Sequence, residues 1–90
     1  MSNELPATWL YRRVSIDEAE RIHAGGPEHA GRAFGASHDA WLKLRNSMTP
    51  ADELWIYNSR DHIAPGACAN YGVCVVRHGR VLRHLLLRIG

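Results

Sequence analysis

The sequence predicts a single α+β domain: a mainly antiparallel sheet of three or four strands with two helices packed on one face. Three observations predict it. Val73–Arg77 and Arg80–Ile89 are apolar, β-branched-rich runs joined by His78-Gly79, a two-residue connection with Gly where a hairpin needs positive φ. Trp41, Leu44, Arg45 and Met48 recur at helical spacing and form one stripe. Leu54–Asn58 is short and apolar on both sides. That is the pattern of a central strand covered on both faces, or covered on one and at an interface on the other.

The elements follow in order. Residues 1–7 are polar, contain Pro6, and read as a loose start. Thr8–Val14 reads as the first strand, with Trp9 and Tyr11 on one face. Ser15-Ile16-Asp17-Glu18 matches a capping box: Ser15 caps the Glu18 amide and Glu18 reaches back. Asp17, Glu18 and Glu20 suit the positive end of that helix, and Ala19, Ile22 and His23 are its inward candidates. Gly25-Gly26-Pro27 stops it. The glycine-rich stretch from 25 to 36 reads as a loop with room for a helical turn over Glu28–Ala33. A second helix runs from Ser37, its cap, to Met48, and Thr49-Pro50 ends it because the residue before Pro is pushed out of the helical region. Ser59–Gly72 is then a long connection to the hairpin.

Pairing outward from His78-Gly79 sets Arg77 opposite Arg80, Val76 opposite Val81, Val75 opposite Leu82 and Cys74 opposite Arg83. Arg83 and His84 both interrupt the apolar alternation, and a bulge near Arg83 reconciles them.

A chain of 90 residues supports one small core, and domains of this size often gain a staple or a second subunit. No apolar run reaches the ~20 residues of a membrane span, and the first residues lack a secretory pattern. Two cysteines are too few for a disulfide framework and fit a reducing, cytoplasmic setting. Charge is unevenly spread. Up to Asp61 seven basic residues meet nine acids, a balance of −2, whereas residues 62–90 carry four Arg and no acid, a balance of +4. That asymmetry permits an acidic partner at the C-terminal end.

Chemistry-bearing patterns are weak. His62, Cys68, Cys74 and His78 are zinc-type ligands, but the H-x5-C-x5-C-x3-H spacing lacks the close cysteine pair of a zinc knuckle. The two cysteines also lack the C-x-x-C arrangement of a redox pair. No nucleophile elbow or Walker loop is present, and the paired carboxylates Asp17/Glu18 and Asp52/Glu53 sit at element starts where capping accounts for them. No catalytic residue, cofactor or metal site is therefore assigned. Arg77, Arg80, His84 and Arg88 could line one face of the hairpin and contact a polyanion. The sheet lacks interleaved exposed aromatics, however, and Lys43 is the only lysine.

Met48-Thr49-Pro50-Ala51-Asp52-Glu53-Leu54-Trp55, the aromatic Tyr57, and Val76-Arg77-His78-Gly79-Arg80-Val81 resemble a group of short, uncharacterised bacterial proteins. Those proteins share a D-E-L-W-x-[FY] strand and a V-R-x-G-x-V hairpin. Residues 60–72, with both cysteines, depart from that group, and the resemblance implies no function.

The sequence thus points to a non-catalytic module that binds a protein or self-associates. A homodimer would shelter the long apolar C-terminal strand. The alternative is a nucleic-acid or polyanion binder acting through the arginine face, and a small enzyme whose site the sequence does not locate is the third reading.

Overall fold

His78 and Gly79 adopt φ of 52° and 78°, the paired left-handed conformation that reverses a chain within two residues. The strands they join are part of a four-stranded antiparallel sheet in a computed structural model that describes residues 5–23, 33–62 and 64–89. The elements are β1 (Leu10–Val14), α1 (Ile16–Ile22), α2 (His38–Asn46), β2 (Glu53–Asn58), β3 (Asn70–Arg77) and β4 (Arg80–Ile89). The strands lie side by side in chain order, and both helices fall between β1 and β2. The predicted α+β class holds. The glycine stop at 25–27 and the turn considered over 28–33 lie largely outside the described residues.

α1 starts as its sequence dictates. Ser15 Oγ accepts the Glu18 amide at 3.0 Å, and Glu18 Oε1 accepts the Ser15 amide at 3.0 Å. Ala19 is fully buried, but Ile22 is exposed, contrary to expectation. His23 takes the inward place one turn beyond Ala19, with Nδ1 2.8 Å from the Ala19 carbonyl. α2 is shorter than predicted at both ends. Ser37 does not cap it, because a 3-10 turn over Gly35–Ser37 leaves Ser37 outside the extended conformation a cap requires.

Three further boundaries differ. Ala7–Trp9 forms a 3-10 turn, closed by the Trp9 amide on the Pro6 carbonyl, so β1 begins at Leu10 rather than Thr8. Trp9 and Tyr11 therefore do not share a face: Trp9 packs inward and Tyr11 is exposed. Nor is the start wholly loose, since Leu5 is buried against the sheet. β3 begins at Asn70, inside the predicted connection. Buried Ser59 exchanges bonds with Asn70, amide to carbonyl at 3.0 Å and hydroxyl from amide at 2.8 Å, and extends the ladder.

β2 and β3 are apolar on both sides, and each side has its own core. Leu54, Ile56, Val73 and Val75 cluster with Val14, with Ala19 of α1, with Trp41 and Leu44 of α2, and with Phe34. The alternating residues Tyr57, Cys74 and Val76 cluster with Val81 and Leu5, and Trp9, Leu10 and Trp55 pack around them. α1 and α2 are joined through Glu20, whose Oε2 accepts both the Trp41 indole N–H at 2.9 Å and Arg45 Nη1 at 2.7 Å.

Tyr57 owes its burial to Gly72. The ring crosses β3 where that residue has no side chain, and a Cβ there would collide with the Leu85 carbonyl and with the Tyr57 hydroxyl and ring. The hydroxyl has no hydrogen-bond partner among the described residues, and burial raises its pKa to about 12. Two opposite outcomes are expected from urea unfolding. Gly72→Ala should cost roughly 3 kcal/mol through overpacking. Tyr57→Phe should be neutral or stabilise by up to about 1 kcal/mol, because it removes an unpaired buried hydroxyl.

Candidate functional site

β4 is ten residues long and is the last strand of the sheet, so no described strand pairs with its outer edge. It is also irregular. Val76 faces Val81 and Arg77 faces Arg80, as the turn predicts. Val75 then faces Arg83, and Cys74 faces His84, because Leu82 is an extra residue. This bulge corrects the predicted pairs Val75–Leu82 and Cys74–Arg83. A second irregularity follows: Gly72 faces Leu86 and Tyr71 faces Arg88, which leaves Leu87 between them.

The first bulge rearranges the predicted arginine face. Directly paired residues project to the same side of a sheet, so Arg83 goes with Val75 and Arg88 with Tyr71, on the side of the helix-bearing core. Arg77 and Arg80 share that side. His84 goes with Cys74 to the opposite face, where its ring meets Tyr57 edge-on at 5.9 Å. The set Arg77, Arg80, His84 and Arg88 is therefore not brought together. Arg83 stands where His84 was expected.

Arg77 is already committed. Its Nε donates to Asp52 Oδ1 at 2.5 Å and its Nη2 to Asp52 Oδ2 at 3.1 Å, a bidentate pair. Asp52 Oδ2 also accepts the Thr49 amide at 2.9 Å, so one carboxylate holds both the exit turn of α2 and the end of the hairpin. The Asp52 side chain is only 1% exposed. The hydrogen bond from Arg77, then that from the Thr49 amide, lowers its pKa to about 2. Arg12, Arg13 and Arg45 likewise have Glu18, Glu53 and Glu20. Arg80, Arg83 and Arg88 have no carboxylate partner among the described residues. On the same strand, Leu82, Leu86 and Ile89 are 39%, 42% and 60% exposed.

At the end of β4 the Arg88 guanidinium lies over the Tyr71 ring, 4.4 Å from its centroid. The Tyr71 hydroxyl is 3.1 Å from His23 Nε2. His23 Nδ1 faces the Ala19 carbonyl, which can only accept, so Nδ1 donates there and Nε2 is the atom that meets the Tyr71 hydroxyl. His23 stacks on Phe34 at 4.6 Å, and Phe34 stacks on buried Trp41 at 4.3 Å. Phe34 has φ 69°, a left-handed conformation unfavourable for a bulky side chain that the two stacks hold in place. Tyr71 was missed in the sequence because it sits in what reads as a loop. The alternation Asn70-Tyr71-Gly72-Val73 was the available signal.

The zinc-type residues are dispersed in character. Cys74 is buried in β3, and burial pushes its thiol up to about 12, which keeps it protonated and unreactive. Cys68 is exposed in the loop before β3, His62 is exposed, and His78 occupies the hairpin turn. Among the described residues no three His, Cys, Asp or Glu gather in metal-binding geometry, and no helix is long and apolar enough to cross a membrane.

Fold and site together define an α+β domain with a long, cationic strand edge that no described strand pairs. No known family model matches the chain, and no curated protein or solved structure compared with it is significantly similar.

The Asp52–Arg77 pair predicts acid sensitivity. Because the folded pKa is depressed, the stability it contributes is fully present above the ordinary value of 3.8 and is lost as pH falls toward about 2. Asp52→Asn should be less stable at neutral pH and should show a flatter dependence of unfolding midpoint on pH across that window. A variant whose pH profile parallels the parent's would remove Asp52 from the account.

Proposed function

We propose that the protein is a non-catalytic binding module that takes an extended, acidic segment of a partner protein as an added strand along β4. The observation that carries this reading is the outer edge of β4: ten residues long, with three arginines that lack carboxylate partners among the described residues and three exposed apolar side chains on the same strand. A strand laid on such an edge gains main-chain hydrogen bonds over its length, and alternate side chains supply selectivity. Acidic residues on the incoming strand would meet Arg80, Arg83 and Arg88, and its apolar residues would meet Leu82, Leu86 and Ile89.

A second copy of the chain is the competing occupant, and it is the homodimer expected from the sequence. Charge disfavours it. Two β4 strands related by a two-fold axis would bring three unpaired arginines and His84 from each copy into one ribbon, and residues 62–90 contain no acid to offset them. A nucleic acid is disfavoured by the same geometry that dismantles the predicted arginine face: Arg77 is neutralised by Asp52, and His84 projects to the other side.

The test is a calorimetric titration with a synthetic ten-residue peptide alternating Glu with Val. Saturable binding is expected, weakened at least tenfold in ~1 M salt, where the Debye length falls to ~3 Å. N-methylation along one edge of the peptide should abolish it, and so should the Arg80→Glu/Arg83→Glu variant. Binding that survives N-methylation would overturn strand addition. A dimer in sedimentation equilibrium at micromolar concentration would give the edge to a second copy instead, and tighter binding of a single-stranded oligonucleotide than of the peptide would give it to a polyanion.

A further inference from the structure

We infer that the cleft beside the Tyr71–Arg88 stack is a binding site for a small organic carboxylate. The cleft encloses about 370 Å³ and is lined by His23, Phe34, Ser37, Tyr71, Leu87 and Arg88, among others. Its volume is near the lower end of the ~300–1,000 Å³ typical of small-molecule sites, which sets the ligand at fragment size.

The donors on its walls are unspent. Arg88 has the Tyr71 ring beneath it and no carboxylate partner among the described residues, so the N–H fork is oriented but unoccupied. The contact with the ring restrains the guanidinium and lowers the entropy lost when a ligand engages it. Ser37 stands at the start of α2, yet its hydroxyl caps nothing, which leaves a second donor on the lining. The Tyr71 hydroxyl is committed to His23 and does not compete.

The walls also select the ligand's shape. Of the lining rings, His23 stacks on Phe34 at 4.6 Å, and Leu87 packs against the same core. These apolar surfaces suit a small hydrocarbon body. One guanidinium and one hydroxyl match the single charge and planar fork of a carboxylate. A phosphate dianion would call for more cations than this cleft supplies. Arg88 also borders a smaller cleft of about 230 Å³ with Asn58, Arg60, Ala69 and Tyr71.

The experiment is an NMR titration of the intact chain, reading the Arg88 Nε–H and the ring signals of His23 and Tyr71. Benzoate and an N-acetylated dipeptide with a free C-terminus are compared with their amides. Benzoate should give saturable shifts with a dissociation constant around ~1 mM, a fragment-range affinity, and the amides should give none. Arg88→Gln should weaken benzoate at least tenfold and Ser37→Ala about fivefold, while Arg13→Gln, which lies outside the lining, should bind as the parent does. Ser37→Ala keeps the test open should Arg88→Gln unfold, because Ser37 caps no helix. Absence of saturable shifts, equal shifts with the amides, or undiminished binding by Arg88→Gln would overturn the site. Shifts with the free-acid dipeptide alone would also overturn the small-molecule assignment, giving the cleft to a chain terminus.

Discussion

The structure depends on burying the central pair of strands on both sides. β2 and β3 carry Leu54, Ile56, Val73 and Val75 toward one face and Tyr57, Cys74 and Val76 toward the other, and every one of these side chains is buried. Full burial of such residues contributes ~1.5–3 kcal/mol each. The exposed ion pairs Arg12–Glu18 and Arg13–Glu53 contribute ~0–1 kcal/mol each, so packing decides the fold and the charges trim it. In a chain this short, covering two faces leaves little to spare. Ala19, Trp41 and Leu44 serve one core, and the turn at Ala7–Trp9 with Leu5 and Leu10 serves the other. That demand explains why the N-terminal residues, polar by composition, are drawn onto the sheet at Leu5.

Polar groups then fix what packing leaves loose. Glu20 joins the helices by accepting from Trp41 and Arg45, which satisfies an indole N–H that would otherwise be buried unpaired. Asp52 joins the α2–β2 turn to the hairpin through Arg77. Ser59 lengthens β3 by sealing its first rung. Each tie links segments separated by 11 to 25 residues, so each reports a contact that no local window contains. The Tyr57 hydroxyl is the exception. It is buried by the Gly72 notch without a partner among the described residues, a cost the ring's own burial outweighs.

This division separates what the sequence disclosed from what it hid. The hairpin turn, the α1 capping box, the Trp41–Leu44 stripe and the two-sided β2 all rest on local chemistry, and all stand in the structure. The errors share a different cause. Ser37 fails as a cap because a 3-10 turn precedes it, and Asn70 joins β3 because of Ser59. Arg83 and His84 exchange faces because Leu82 is extra, although their clash with the alternation had already marked a bulge. The candidate surface was thus half legible. Its arginines and their isolation from acids were plain, but which of them stand together depends on one residue of register.

The bulges also bear on why β4 is left open at all. A straight, apolar ten-residue edge would invite indiscriminate pairing, and the usual safeguards are charge and irregularity. β4 has both: two breaks in its ladder, and arginines spaced along it. Such a safeguard is not neutral toward every partner. Like charge repels a second copy of the strand, whereas the same guanidiniums attract an extended segment rich in Asp and Glu. Arg80, Arg83 and Arg88 lie on the strand whose outer edge no described strand pairs, and the last of them sits over the Tyr71 ring. Selectivity and protection are therefore one feature of β4, read from two sides.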